Sequence, residues 1–508
     1  MLEYVPERHL TGGLRLEANK AVSIAKPIQR GFVPRQLVLA LQQHRGAAAE
    51  PVVTAGQRVL KGQMIAAPGP PPSAAVHASS SGWVRAIEER LVLAGSGVAS
   101  SLCIIVETDG RDELEPHSNE PNWPSERAAR LEQIRTGGLV GLGGAVFPTA
   151  DKLATATTCK ILIINGAECE PYISCDDMLM RESAAQIVAG ALLMADVLAA
   201  PLCIIAIERD KPLALEAIGA AASAVADPRL KLAEVPTIYP AGGERQLIEL
   251  LTGEEVPSGL YPSQVGYVCQ NAGTAFAVYR LAREREPLIT RIVTVTGRGV
   301  RTPQNVETPI GAPISELIEY CGGYTGEAIR LIGGGSMMGF ALPNDDLPIS
   351  KASNCIIAAA ASEVRTDLFE WPCIRCGECA AACPARLLPQ ELLIAARTAD
   401  YDAMATLGLR DCIECGCCDV ICPSHISLTE QFREAKRSYA AHELELAFSS
   451  ASEERFQRRE RRRHTDEEYS SSLRDSLKNE VRADPDSQRK AIEAAVQRAN
   501  QRRVDRES

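Results

Sequence analysis

Between residues 160 and 251 the hydrophobic positions alternate between short apolar runs and segments with helical spacing. The apolar runs predict strands and the other segments predict helices, an order typical of an α/β sheet with helices on its faces. The predicted strands are KILIIN, LCIIAIE and LKLAEVPTIYP, and the predicted helices are Ser183 to about Ala199, KPLALEAIGAAASAVA and ERQLIELL. Ligands of such sheets lie at the carboxyl ends of the strands, where Asn165 and Glu168 fall.

The longest apolar stretch runs from Ser183 to Ile207 and contains Gln186, Asp196 and Pro201. Because these residues interrupt it, we expect a buried helix followed by a strand rather than a membrane span.

Length and composition narrow the class of protein. A chain of 508 residues is too long for one hydrophobic core, so we expect several domains. The opening MLEYVPERHLTGG has no continuous apolar segment, and we expect no secretory signal there. Seventeen cysteines without such a signal favour metal or redox chemistry in a reducing compartment over disulfides. The net charge of −11 argues against nucleic-acid binding.

Eight of these cysteines form two copies of the spacing C-x2-C-x2-C-x3-C-P, the run of bacterial two-cluster ferredoxins. There the fourth cysteine of each run ligates the other cluster. One predicted [4Fe-4S] cluster is thus bound by Cys373, Cys376, Cys379 and Cys422, and the other by Cys412, Cys415, Cys418 and Cys383. Zinc also binds C-x2-C pairs. A zinc site, however, does not require the third and fourth cysteine of each run, or a second copy of the run. Cys417 breaks the spacing and is predicted to be a bystander.

A glycine-rich loop, TGGLVGLGGAVFPTADKL from Thr136 to Leu153, precedes the first predicted strand. Such a loop before a helix allows backbone N–H groups to approach a phosphate or a flat ring, although a tightly packed turn is an equally common explanation. The loop and the following NGAECEP resemble the flavin-bearing, NADH-oxidising subunit of respiratory complex I. The matching residues are Gly141, Gly143, Gly144, Phe147, Pro148, Thr149, Lys152, Asn165, Glu168, Glu170 and Pro171.

The resemblance implies roles for these residues. It implies that the glycines and Lys152 bind FMN, and that Phe147 forms an aromatic platform for the dinucleotide. It also implies that Asn165 and the catalytic acids Glu168 and Glu170 border the flavin ring and the nicotinamide. VCQNAGTAFAV, which resembles another segment of that subunit, places Asn271 near the flavin.

Lys152 matches that subunit's pattern but has an alternative interpretation as an ordinary surface lysine. Three other positions depart from the pattern. Leu142 replaces an arginine, Ala167 replaces an aspartate, and Thr155 stands where a second aromatic residue would contact adenine. We therefore expect FMN binding, with NAD(H) held more loosely or by a different set of contacts.

The flanking segments predict further modules. PVVTAGQRVLKGQMIAA and HASSSGWVRAIEE resemble the halves of biotinyl and lipoyl carrier domains, but the connecting APGPPPSAAV has no lysine, which predicts a structural barrel-sandwich module. Residues 291–323 resemble a ubiquitin-like, soluble-ligand-binding β-grasp module. From about Ala451 the chain is densely charged and poor in large apolar groups, which predicts a largely disordered or helical tail. Its arginines are either solvated or contact anionic lipid or a partner.

The order of these modules resembles the RnfC family of the Rnf electron transport complexes. The family implies a peripheral subunit on the cytoplasmic side of the inner membrane, bound to integral subunits and to a second iron–sulfur subunit. Ferredoxin or flavodoxin would be an indirect partner. Electrons would pass between NAD(H) as substrate, FMN and two [4Fe-4S] clusters, coupled to cation transport by an NADH/ferredoxin-type oxidoreductase. The alternatives are a relay or assembly subunit without productive NADH oxidation, and the flavin subunit of a soluble oxidoreductase.

The predicted fold class is therefore multidomain α/β, with a two-cluster ferredoxin-like domain near the C-terminus. The predicted boundaries are an N-terminal segment at 1–31, a barrel-sandwich hybrid module at 32–92, an FMN/NADH-binding α/β domain at 125–285, a β-grasp module at 286–345, a ferredoxin-like domain at 364–430 and a charged tail at 431–508.

Overall fold

The computed structural model describes residues 9–94, 97–116, 123–156, 158–364, 369–483 and 485–507. The first eight residues, which carry most of the expectation about a secretory signal, lie outside these ranges. The chain divides into two compact units, Met1–Arg433 and Glu434–Ser508.

The N-terminal module consists of two small antiparallel sheets. Its strands are β1 (Gln36–Ala40), β2 (Glu50–Pro51), β3 (Arg58–Val59), β4 (Met64–Ala67), β5 (Val76–His77), β6 (Gly82–Ala94) and β7 (Gly97–Thr108). One sheet has the order β1-β7-β6-β3 and the other β2-β4-β5. Strand β7 lies beyond the expected boundary at residue 92 and is central in its sheet, where Ile104 and Val106 are fully buried.

The following domain has a four-stranded parallel sheet in the order β10-β9-β8-β11. Its elements are α1 (Arg127–Thr136), α2 (Thr149–Thr155), β8 (Ile161–Gly166), α3 (Cys175–Glu182), α4 (Ala184–Leu198), β9 (Cys203–Glu208), α5 (Pro212–Val225), β10 (Leu230–Val235), α6 (Glu244–Thr252), β11 (Tyr267–Asn271) and α7 (Ala272–Tyr279). The three predicted strands and three predicted helices of this region are found, although the strand predicted as LKLAEVPTIYP ends at Val235. Apolar runs define β8 and β9, whereas β10 (LKLAEV) contains a lysine and a glutamate. Strand β11 was not predicted, since its sequence YVCQN is short and half polar.

No described helix is by itself both long enough and apolar enough to cross a membrane. Helices α3 and α4 meet those two criteria only when taken together, and they are bent by 97° at their junction. Most of α4 is buried in the domain core, where it packs against α5 and α7.

The β-grasp region forms a five-stranded sheet in the order β13-β12-β16-β14-β15. Its elements are β12 (Thr290–Thr296), β13 (Gln304–Pro309), α8 (Ile314–Tyr320), β14 (Ala328–Gly333), β15 (Phe340–Ala341) and β16 (Cys355–Ala360). The fully buried strand β16 lies beyond the expected boundary at residue 345 and occupies the centre of the sheet.

Four short helices lie within and between the two cysteine runs: α9 (Glu378–Ala381), α10 (Pro389–Thr398), α11 (Tyr401–Thr406) and α12 (Cys417–Ile421). The chain then continues as α13 (Leu428–Ala483) and α14 (Pro485–Glu507). Of the two states predicted for the tail, the structure has the helical one. Charge pairs one turn apart, such as Arg458 with Glu454 at 2.9 Å, favour a helix in a segment that buries little apolar surface.

Candidate functional site

The glycine-rich loop lies beside the carboxyl ends of strands β8 and β11. It closes on itself, because the Gly141 N–H donates a 2.8 Å hydrogen bond to the Phe147 carbonyl and Val140 pairs with Pro148. At its apex Gly144 has a φ of +96°, and no atom lies within 4 Å of the position that a Cβ would occupy there. The apex therefore has a backbone conformation suited to glycine and open space next to it.

Asn165 is the penultimate residue of β8, Asn271 is the last residue of the neighbouring parallel strand β11, and the two are paired in register. The Asn165 amide donates a 2.8 Å hydrogen bond to the carbonyl of Gly242. Asn271 caps helix α7 by accepting the N–H of Gly273 at 2.8 Å. A Cβ on Gly143 would lie 3.5 Å from the Asn271 Cβ. The structure therefore brings Gly143 and Asn271 together, as expected for one site at this edge of the sheet.

Lys152 extends from α2 back to the same region. Its ammonium group bonds to the Glu244 carboxylate at 2.8 Å and to the carbonyl of Cys269 at 2.6 Å. The side chain is about a quarter exposed, so it is neither a free surface lysine nor fully enclosed. Phe147 is half-buried beside the loop apex.

Glu168 is buried at the N-terminus of α3. Its carboxylate accepts the N–H of Asp176 at 2.8 Å, and the Cys175 thiol donates to it at 3.3 Å. Burial is the largest influence on Glu168 and raises its pKa to about 6, although Lys20, 3.9 Å away, opposes the shift. Asp176 accepts a 2.6 Å hydrogen bond from Asn271, so hydrogen bonds connect Glu168 through Asp176 to Asn271, which lies next to Gly143 of the glycine loop.

Glu170 has different neighbours. Its carboxylate accepts the backbone N–H groups of Met337 at 2.9 Å and Met338 at 2.8 Å, both between β14 and β15. Burial raises its pKa. The predicted catalytic role of Glu170 stays a prediction, because these hydrogen bonds attach it to the β-grasp region.

Two buried basic side chains outside the predicted site residues hold the glycine loop from the β-grasp region. Arg291 donates to the carbonyl of Leu142 at 2.7 Å, and Lys351 donates to the carbonyls of Gly138 at 2.7 Å and Ala75 at 2.9 Å. Burial lowers the pKa of Lys351 to about 7. The sequence contains one indication of the Arg291 contact, because an arginine stands inside the apolar strand sequence TRIVTVT. An arginine buried in a strand requires hydrogen-bond acceptors.

The four cysteines predicted for the first cluster line one cavity. Cys373, Cys376 and Cys379 of the first run meet Cys422 of the second run in the lining of this one cavity. Cys373 and Cys376 are exposed, whereas Cys379 is buried. This arrangement brings together the crossed set that the spacing predicts.

The second predicted set is more enclosed. Cys415 and Cys418 are buried, and Cys383 and Cys412 are half-buried. Burial raises the pKa of Cys383, and the Cys415 thiol raises it further, so these thiols from different runs lie near each other. Burial also raises the pKa of Cys418, and the nearby thiols of Cys415 and Cys412 raise it further.

Cys417 is fully buried, and its Sγ lies 4.0 Å from the carbonyl oxygen of Tyr239. It lies next to Cys415 as well, and its prediction as a bystander stays a prediction.

Three protein-family models match this chain and define its class. They are the RnfC barrel sandwich hybrid domain at residues 8–111, the Nuo51 FMN-binding domain at 134–280 and the SLBB domain at 292–341. The chain is thus a multidomain α/β protein with an FMN-binding domain between a barrel-sandwich domain and an SLBB domain.

Curated relatives give the family, which consists of the C subunits (RnfC) of ion-translocating oxidoreductase complexes. The chain is 44% identical over 460 residues to the C subunit from Pseudomonas aeruginosa, and 42% identical over 460 residues to the one from Vibrio cholerae. These alignments cover 90% of this chain and 59% of each relative. The RnfC protein of Rhodobacter capsulatus is 43% identical over 432 residues, or 84% of this chain and 82% of the relative. The chain belongs to this RnfC family.

Solved structures of an NAD⁺-reducing [NiFe]-hydrogenase align less extensively. The air-oxidised state matches with a TM-score of 0.43 and 21% identity, covering 56% of this chain and 55% of the other. The H2-reduced state matches with a TM-score of 0.44 and 22% identity, covering 62% of this chain and 63% of the other.

Proposed function

We propose that this chain transfers electrons between NAD(H) and two [4Fe-4S] clusters through a bound FMN. The observation that supports this proposal is that one compact unit contains an FMN-binding domain and both cysteine runs, with Cys373, Cys376, Cys379 and Cys422 lining one cavity. NAD(H) exchanges two electrons as hydride and a cluster exchanges one, and a flavin supplies the conversion between them.

The glycine-rich loop has features suited to binding FMN. The open space at Gly144 admits a flat ring near the backbone, and the ammonium of Lys152 brings a positive charge to the same end of the domain. Asn165 and Asn271 would orient the ring, since both lie at the carboxyl ends of strands at this edge. Glu168 would border the nicotinamide and, with a pKa of about 6, could hold or release a proton near neutral pH.

Burial and contacts support an order for the two clusters. The second predicted ligand set, Cys383, Cys412, Cys415 and Cys418, is called here the enclosed pocket. It contacts the FMN-binding domain, because Tyr239 donates a 2.6 Å hydrogen bond to the carbonyl of Cys415. The pocket of Cys373 and Cys376 opens at the surface. We infer that electrons from NADH enter the enclosed pocket first and leave through the exposed one.

The surface around the exposed pocket supports a site for a redox partner. Phe369, Trp371 and Ile374 have relative exposures of 60% or more, and the two aromatic rings lie 5.3 Å apart. Exposed apolar groups next to exposed cluster ligands are expected where another subunit shields the cluster and receives its electrons. The partner we propose is an Rnf subunit that carries a one-electron centre.

In the assembled complex we propose the wider activity that the family resemblance implies. The chain would bind peripherally at the cytoplasmic face of the inner membrane, with integral subunits and a second iron–sulfur subunit. Exchange of electrons between ferredoxin and NAD would be coupled there to cation transport. The relatives are named for an ion-translocating complex, which supports this proposal.

The test is an anaerobic spectrum of the purified chain, with flavin and iron quantified before and after addition of NADH. We expect about one flavin and about eight iron atoms per chain, as two cubane clusters require. NADH should bleach both the flavin and the iron–sulfur absorbance, and dithionite is the control for reducible clusters. Eight iron atoms without flavin, or clusters that only dithionite bleaches, would instead support a relay subunit.

A further inference from the structure

Tyr239 lies in a buried contact between the FMN-binding domain and the second cysteine run. Its side chain is 3% exposed, and its hydroxyl donates to the carbonyl of Cys415 at 2.6 Å. The ring packs in one apolar cluster with Ala382, Cys415 and Cys417. Because Cys417 also approaches the Tyr239 carbonyl, Tyr239 contacts the second run at both its side chain and its backbone.

Glu170 reaches the same run through the segment between β14 and β15. It accepts the N–H groups of Met337 and Met338, and the Met337 carbonyl oxygen lies 3.2 Å from the position that a Cβ on Gly416 would occupy. The segment that Glu170 orders therefore lies directly against the residue that follows Cys415. Lys20 is the cation that acts on Glu170 from the N-terminal segment.

We propose that Tyr239 and Glu170 are positioning residues for the second cysteine run, and that they set the reduction potential of the cluster bound by Cys383, Cys412, Cys415 and Cys418. This inference rests on the proposed function for the presence of that cluster. It assigns to Glu170 a role distinct from the nicotinamide contact that the sequence resemblance implies.

The two residues should act on the potential in opposite directions. Cluster potentials depend on net charge, hydrogen bonding and solvent exposure. The Tyr239 hydroxyl directs the positive end of its O–H dipole toward Cys415 and so favours the reduced, more negative cluster. A carboxylate at Glu170 places negative charge near the same run and so disfavours the reduced cluster.

The first test is Tyr239→Phe, which removes the hydroxyl and keeps the ring. In a dithionite titration followed by electron paramagnetic resonance, we expect one of two reduction waves to shift to more negative potential. At a fixed potential, the ratio of reduced to oxidised cluster should fall about fivefold, the size of one modest hydrogen bond. The matched control is Tyr267→Phe, because Tyr267 is also buried but donates to Glu254.

The second test is Glu170→Gln at pH 8, which keeps a carbonyl acceptor for the two N–H groups but removes the charge. We expect the same wave to shift to more positive potential. Glu170→Ala removes the acceptor as well, and we expect faster amide hydrogen exchange at Met337 and Met338, a readout that needs no cofactor.

Cys373→Ser and Cys415→Ser assign the two waves to the two pockets. Equal shifts of both waves in Tyr239→Phe, a shift confined to the exposed pocket, or no shift in either variant would overturn the inference. Because dithionite supplies the electrons, these tests are independent of flavin. A chain that lacks flavin would contradict the proposed function and leave the inference standing if the shifts are found. Absence of the second cluster would overturn both.

Discussion

Gly144→Val should reduce the flavin content of the purified chain at least tenfold while about eight iron atoms remain bound. Glycine adopts a φ of +96° readily, whereas a β-branched residue there is strongly disfavoured. The added side chain would also fill the open space at the loop apex. Flavin released by acid and measured by fluorescence, with iron determined in the same sample, gives the result.

Gly259→Val is the matched control for this substitution. Gly259 has a φ of +77°, belongs to the same domain and likewise has no atom within 4 Å of an added Cβ. It is remote in sequence from the glycine loop, so we expect it to retain flavin. Full flavin content in Gly144→Val, or equal loss in both variants, would show that the open apex is not where flavin binds.

Removal of one or the other cluster should have unequal consequences for NADH oxidation. Cys412→Ser removes a ligand from the enclosed pocket, so we expect NADH to reduce the flavin and leave the remaining cluster oxidised. Cys373→Ser removes a ligand from the exposed pocket, and we expect NADH to reduce the enclosed cluster at a rate close to that of the unmodified chain. Low-temperature electron paramagnetic resonance after mixing with NADH distinguishes the two outcomes.

The comparison is internally controlled, because both variants replace one cysteine by serine and should lose one cluster. Dithionite must reduce the surviving cluster in each variant, which shows that it is assembled. If NADH still reduced the exposed cluster as fast in Cys412→Ser as in the unmodified chain, the inferred order of the pockets would be wrong.

The sequence predicts well those parts of the molecule whose chemistry depends on local spacing. The crossed set of Cys373, Cys376, Cys379 and Cys422 follows from residue intervals alone, and the structure brings these four thiols around one cavity. The central sheet was also predictable, because strands buried on both faces are continuous apolar runs. The predicted module boundaries, in contrast, exclude β7 and β16, which join their sheets from beyond the segments that carry the recognisable patterns.

Contacts between modules could not be predicted in the same way. Lys351 and Arg291 are more than 140 residues from the loop carbonyls that they bond, and their partners are backbone atoms without a sequence signature. Tyr239 meets Cys415 across 176 residues for the same reason. Glu170 shows the complementary problem: its motif implies a nicotinamide contact, whereas its observed partners are two N–H groups of the β-grasp region.

We propose that electrons from NADH reach the enclosed cluster before the exposed one. Rapid freezing of the flavin-loaded, unmodified chain at successive times after mixing with NADH, followed by electron paramagnetic resonance, tests it directly. We expect the signal abolished by Cys412→Ser to appear first and the signal abolished by Cys373→Ser to follow. Appearance of the exposed cluster's signal first, or no signal from either cluster while dithionite reduces both, would contradict it.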